Sequence, residues 1–350
     1  MMRASFAIFS AAALLSAGTA NARELATIER VDDSAVQLVR DAGDPVSVWL
    51  SEDTLLDASD REVAERFDKG KLSLEVPSDK RMYVILQSST GESTVVAERR
   101  LPLEKGSNFR DIGGYVTKDG KQVLWGKAFR SGAMPMLTEA DYALISGLDL
   151  DSVVDLRSLE ERALVDDKID DRTGALFLSN DYSMKALFAK LQKGDGENMY
   201  KGMEQLLAPQ LRSLYRRIMA DEGAVLYHCS AGQDRTGIAT AVLYDVLGVD
   251  RETILKDYHL STQWRRPEWE MPEVDPKDYP DNPLVQYYAS MPEDKRYKAQ
   301  PLYTPSGASH LAQFFTYLDA NYGGSVGYMT KELGFSQEEI GKLRKVMLTD

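Results

Sequence analysis

One cysteine occurs in the 350 residues, Cys229, and it lies in the string His228-Cys229-Ser230-Ala231-Gly232-Gln233-Asp234-Arg235-Thr236-Gly237. An aliphatic strand candidate, GAVLYHCS, runs into this string, and an apolar helical pattern, TGIATAVLYDVLG, leaves it, with Gly248 as the expected helix stop. A strand–loop–helix junction with a glycine inside aims several backbone N–H groups and the positive end of a helix dipole at one point, which suits a phosphate dianion. Arg235 follows Cys229 by six residues, so a curved loop can bring its guanidinium round to clamp two phosphate oxygens. The same field favours a Cys229 thiolate able to attack phosphorus. Ser230, Ala231, Gly232, Gln233 and Arg235 are therefore the candidate phosphate-binding residues. Two rival readings are a buried core cysteine and a cysteine protease. The protease needs a separate base, and the other histidines, His259 and His310, carry no supporting motif.

Breaking a phosphoester also needs a proton for the leaving group, delivered by a carboxylic acid in hydrogen-bond reach. Asp155 ends the strand candidate SVVDLRS, expected beside the cysteine strand at the same C-terminal edge. Asp234 lies inside the loop itself. Both stay open as the acid, Asp234 also as an orienter of water, and either can instead be a helix N-cap or an arginine partner. Asp181, in SNDYSM, is a more distant candidate. Arg157 and Arg162 either contact substrate or pair with nearby acids. No metal-ligand constellation stands out, and no cofactor is expected, because loop amides and an arginine supply the charge stabilisation.

Around this loop the chain divides by pattern. Residues 102–350 alternate strand and helix candidates, including capping boxes at Thr138/Asp141 and Ser336/Glu339, and point to an α/β domain with a mainly parallel central sheet. Residues 23–101 hold short alternating runs (SAVQLVR, PVSVWLS, KLSLEV, RMYVILQS), a hairpin turn at STGES, and no reactive constellation, which suits a small β-sandwich. Residues 265–297, rich in proline, acids and aromatics, read as a cap near the site or a solvated insertion. Residues 1–22 combine Arg3, an apolar run and Ala20-Asn21-Ala22, the pattern of a signal peptide, and place the protein in the periplasm or outside the cell. Losing that segment moves the formal charge from −13 to about −14, since Arg3 goes and no acid does. So acidic a surface disfavours nucleic acid as partner, and no later stretch reads as a membrane span.

The string resembles the phosphate loop of bacterial and fungal tyrosine phosphatases of the HCxAGKDRTG type. The likeness covers most of residues 95–350, through SNFRDIGGYVTKDGKQVLWGKAFRSGAMPMLT, VVDLRSLEER, ILKDYHLST and the ending YGGSVGYMTKELGFSQEEIGKLRKVML. The resemblance implies a cysteine-phosphatase-like fold and a hydrolase of phosphorylated proteins, above all phosphotyrosine, with phosphoinositides or small phosphoesters as the alternative and a non-catalytic phosphate-binding module as a further one. It makes Cys229 the nucleophile of a phosphocysteine intermediate and Arg235 the stabiliser of the transition state. Thr236 would assist the leaving thiolate, and His228 would orient the loop or simply pack. Asn108, Arg110 and Asp111 would buttress the loop, and Gly113 and Gly114 would make a turn. Where the family usually has lysine this chain has Gln233, which removes a charge from the pocket rim and predicts a weaker preference for multiply phosphorylated lipids.

Overall fold

The computed structural model describes residues 26–350 apart from 167, 186–196, 198, 293, 294 and 296. The signal-peptide expectation at 1–22 lies outside the described residues. Seven strands come first: β1 (Ala26–Asp32), β2 (Ala35–Arg40), β3 (Val46–Ser51), β4 (Arg61–Phe67), β5 (Gly70–Glu75), β6 (Tyr83–Ser88) and β7 (Ser93–Ala97). They form two antiparallel sheets, ordered β1-β2-β5 and β4-β3-β6-β7. Alternation decides which side is buried. Val36, Leu38 and Leu74 of one sheet pack against Val46, Val48, Leu50, Val84 and Leu86 of the other, the core of a sandwich.

The rest of the chain supplies β8 (Arg110–Asp111), β9 (Ala128–Ser131), α1 (Glu139–Ser146), β10 (Leu150–Asp155), α2 (Leu159–Arg162), α3 (Ile169–Thr173), β11 (Leu176–Ser179), α4 (Met203–Leu206), α5 (Ala208–Ala220), β12 (Ala224–His228), α6 (Arg235–Leu247), α7 (Arg251–Trp264), α8 (Pro283–Ser290), α9 (His310–Tyr322), α10 (Ser325–Lys331) and α11 (Gln337–Met347). The five strands order as β11-β10-β12-β9-β8, parallel except for β8 against β9. β12 is central and buried throughout, which is why it reads as a continuous aliphatic run. Its successive side chains serve two cores. Val225 and Tyr227 pack with Leu211, Tyr215, Ile238 and Val242 from α5 and α6, while Leu226 packs with Phe129, Leu144, Ile145 and Ile169 on the opposite face. α6 is buried at every position except Asp245, so it can hold its N-terminus rigidly at the sheet edge.

The sandwich docks on the β8 side. Arg81 pairs with the fully buried Asp111 at 2.8 Å, Trp125 Nε1 donates to the Val95 carbonyl at 3.0 Å, and Tyr83, Ala97 and Trp125 share a small apolar core. The 265–297 stretch includes α8, capped by Asn282 with Pro283 at the first helical position, and Asn282 Nδ2 donates to the Glu160 carbonyl of α2 at 2.9 Å. No described helix is long and apolar enough to cross a membrane.

Candidate functional site

β12 ends at His228 and α6 begins at Arg235, so residues 229–234 must turn sharply between them. Gly232 makes the turn at φ +64°, and a Cβ there would fall 2.5 Å from the Ser131 carbonyl oxygen. The loop carbonyls are spent on neighbours. Ser230 O accepts from Ala133 N (2.9 Å), Ala231 O from Asn108 Nδ2 (3.2 Å), and Gly232 O from both Asn108 Nδ2 (2.9 Å) and Arg130 Nη2 (2.8 Å). The N–H groups are not. Among the described residues none of those from Ser230 to Asp234 meets a protein acceptor. A row of neighbouring loop N–H groups without protein acceptors is a place that an anion can fill. Cys229, directly before this row, is buried, and among the described residues the buried Thr236 hydroxyl has no protein partner.

Asn108 can hold the loop because it is held in turn. It adopts φ +55°, and Arg110 donates to its side-chain oxygen. Arg110 and Arg130 share Asp257 of α7, at 3.3 and 3.0 Å. Burial raises the Asp257 carboxyl, but the two arginines outweigh it and keep its pKa below the ordinary value. Asp111, expected to buttress the loop with its neighbours, faces the other way. It accepts from Gly113 N, Gly126 N and Arg81, tying the sandwich to the sheet. Alternation along a two-residue strand sends Arg110 and Asp111 to opposite sides.

Arg235 is buried at the start of α6. Its Nη1 and Nη2 meet the two carboxylate oxygens of Glu161 at 2.5 and 2.6 Å, and Nη1 also donates to Tyr182 Oη at 2.8 Å. The Nε edge has no protein acceptor among the described residues, which leaves one fork of the guanidinium for a ligand. Glu161 further accepts from Ser230 Oγ (2.6 Å) and Ser158 N (2.8 Å). Burial pushes the Glu161 carboxyl up, yet Arg235 beside it brings it down to about 2. Glu161 was absent from the sequence-based candidates, although Ser158 and Glu161 carry the S-x-x-E spacing of a capping box.

The two candidate acids separate. Asp155, fully buried, accepts from Arg157 at N (2.8 Å), Nε (3.0 Å) and Nη2 (2.8 Å), and His228 Nε2 stands 3.8 Å from it. It is an arginine partner. Asp234 is half-buried, makes no capping bond to α6, and accepts one hydrogen bond from Tyr200 Oη at 2.7 Å. Asp181 lies at the surface against Arg162, so neither joins the loop. His259 stacks on Tyr303 and His310 packs beside Tyr200, and neither bonds Cys229.

Gln233 does not stand at the pocket rim, where its missing charge was expected to matter. It is buried, its oxygen accepting from Arg265 Nη1 at 2.6 Å and its nitrogen donating to the Gln300 carbonyl at 3.5 Å. Arg265 is also doubly bonded to Glu270, which accepts from Ser107 Oγ. The loop is thereby tied to the 265–300 stretch. Beside Ser230 opens a cleft walled by Leu164, Val165, Met271, Leu284 and Tyr288, with Arg157, Glu161, Arg265 and Glu270 among its polar lining. Every arginine here is matched: Arg157 by Asp155, Arg235 by Glu161, Arg265 by Glu270. Among the described residues no cluster of histidine, cysteine, aspartate and glutamate is arranged to hold a metal.

Residues 101–349 match the tyrosine phosphatase family. Over 228 residues the chain is 30% identical to a tyrosine-protein phosphatase of Nostoc commune, which covers 61% of this chain and 72% of that one. Over 300 residues it is 26% identical to the triple specificity protein phosphatase PtpB of Mycobacterium tuberculosis, covering 72% of this chain and 100% of that one.

Proposed function

The chain belongs to the tyrosine phosphatase family, whose members are phosphoric monoester hydrolases, and from that premise we propose that it is an exported, cysteine-dependent phosphatase acting on protein phosphotyrosine. The observation that supports this is the row of loop N–H groups after Cys229 that, like the Nε edge of Arg235, meet no protein acceptor among the described residues. The cradle and Arg235 hold the phosphoryl oxygens, and the charge that grows on them in the transition state strengthens each contact. Cys229 Sγ attacks phosphorus. Asp234 gives its proton to the departing oxygen, and water then releases phosphate from the phosphocysteine, with the unpartnered Thr236 hydroxyl available to the leaving thiolate. Asp155 is not assigned the acid, because Arg157 occupies its carboxylate.

Apolar walls and matched arginines support an aryl monophosphate over a polyanionic head group, since no unmatched cation awaits a second phosphate among the cleft arginines. The name of the mycobacterial relative favours a second reading with broader specificity. Hydrolysis of an aryl phosphate with chelator present tests the mechanism: Cys229→Ser is expected to lose at least about a thousandfold in kcat. Activity that survives this substitution, or that needs a metal, overturns it. Parallel rates on phosphotyrosine peptides, phosphoserine peptides and phosphoinositides decide between the two readings. Export is tested by the N-terminus of protein recovered outside the cytoplasm, expected near Arg23.

A further inference from the structure

Asp234 is the end of a hydrogen-bonded chain. Tyr200 Oη donates to its Oδ1 at 2.7 Å, and Tyr258 Oη lies 2.6 Å from Tyr200 Oη. A phenol has one hydrogen, and that of Tyr200 is spent on Asp234, so Tyr258 must donate to Tyr200. The chain therefore has a direction, Tyr258 to Tyr200 to Asp234. Both rings are fixed. A Cβ added at Gly237 of α6 would lie 2.9 Å from the Tyr258 ring, so only glycine lets α6 and that ring approach so closely. Tyr200 is buried against His310 and Phe314, with ring centroids 5.4 and 6.4 Å away. Two buried hydroxyls could satisfy each other, yet here the pair is turned onto a half-buried carboxylate one residue before Arg235.

We propose that Tyr200, held by Tyr258, is a positioning residue that presents Asp234 for proton transfer to the leaving group. This rests on the assignment of Asp234 as the acid. In the first step a Cys229 Sγ lone pair forms the S–P bond while the P–O bond to the leaving group breaks. The electron pair of the broken bond stays on the ester oxygen, which takes the proton from the Asp234 carboxyl and leaves a carboxylate behind. With Oδ1 occupied as the acceptor from Tyr200, the acidic hydrogen is confined to Oδ2, and the carboxyl cannot rotate to spend it elsewhere.

An acid matters in proportion to how poor the leaving group is, which separates this role from a purely structural one. In kcat/KM, Tyr200→Phe is expected to slow phenyl phosphate about tenfold or more and 2,4-dinitrophenyl phosphate less than about twofold. Tyr258→Phe follows the same pattern more weakly, and carries the comparison if Tyr200→Phe does not fold. Asp234→Asn measured alongside distinguishes the two failures. If Asp234→Asn shows the leaving-group dependence and the tyrosine variants slow both esters equally, or neither, the positioning role is overturned while the acid assignment stands. If Asp234→Asn shows no such dependence, Asp234 is not the acid and the proposal falls with it.

Discussion

Glu161 closes four contacts at once: both terminal nitrogens of Arg235, the Ser230 hydroxyl and the Ser158 N–H. Its carboxyl sits at about 2 against an ordinary 4.5, so its contribution to stability is complete above pH 4.5 and fades as pH falls through about 2. The contribution is on the order of 3 kcal/mol. Urea unfolding across that pH range should show the acid loss in the parent and not in Glu161→Gln. The variant should also be weaker by about 3 kcal/mol at neutral pH, because Arg235 is left buried without its counter-charge. Gln233 gives the second residue-scale outcome. A lysine there would face Arg265, so Gln233→Lys is expected to lower Tm by about 2–4 °C and to bring no gain on phosphoinositides. A gain there without loss of stability would return Gln233 to the rim.

At the scale of elements, the loop depends on β9 and on the stretch before β8 as much as on its own sequence. Gly232→Ala would drive a methyl into the Ser131 carbonyl at a positive φ. We expect kcat/KM to fall by about a hundredfold or more with far-UV circular dichroism unchanged, since only the cradle is distorted. Such dependencies mark where the sequence stops being legible. The capping boxes at Thr138/Asp141 and Ser336/Glu339 are local, and the helices start there. The two-residue alternation of β2 and β3 likewise announces a buried face. The strand–loop–helix junction that carries Cys229 and Arg235 was legible because strand, glycine and helix are contiguous. Glu161 stands 74 residues from Arg235, and Asp257 stands 147 from Arg110. Pairings across such distances exist only once the sheet order exists. The direction of Asp111 was lost for the same reason, because nothing local says that a sandwich lies behind β8.

For the molecule as a whole, the buried Arg81–Asp111 pair and the Tyr83–Ala97–Trp125 core make the sandwich part of the catalytic unit's packing. Calorimetry should therefore give one cooperative transition. Arg81→Ala should lower stability by about 3–5 kcal/mol, as expected when a buried carboxylate loses its partner. Two separated transitions would mean that the halves unfold independently. The matched arginines around the cleft also govern how substrate arrives. Beyond about 10 Å their fields cancel against Asp155, Glu161 and Glu270. A phosphate dianion approaching a chain of formal charge −13 is then repelled until it is nearly in contact. Encounter is hindered rather than steered, so added salt should speed capture, and kcat/KM should rise between low and physiological ionic strength.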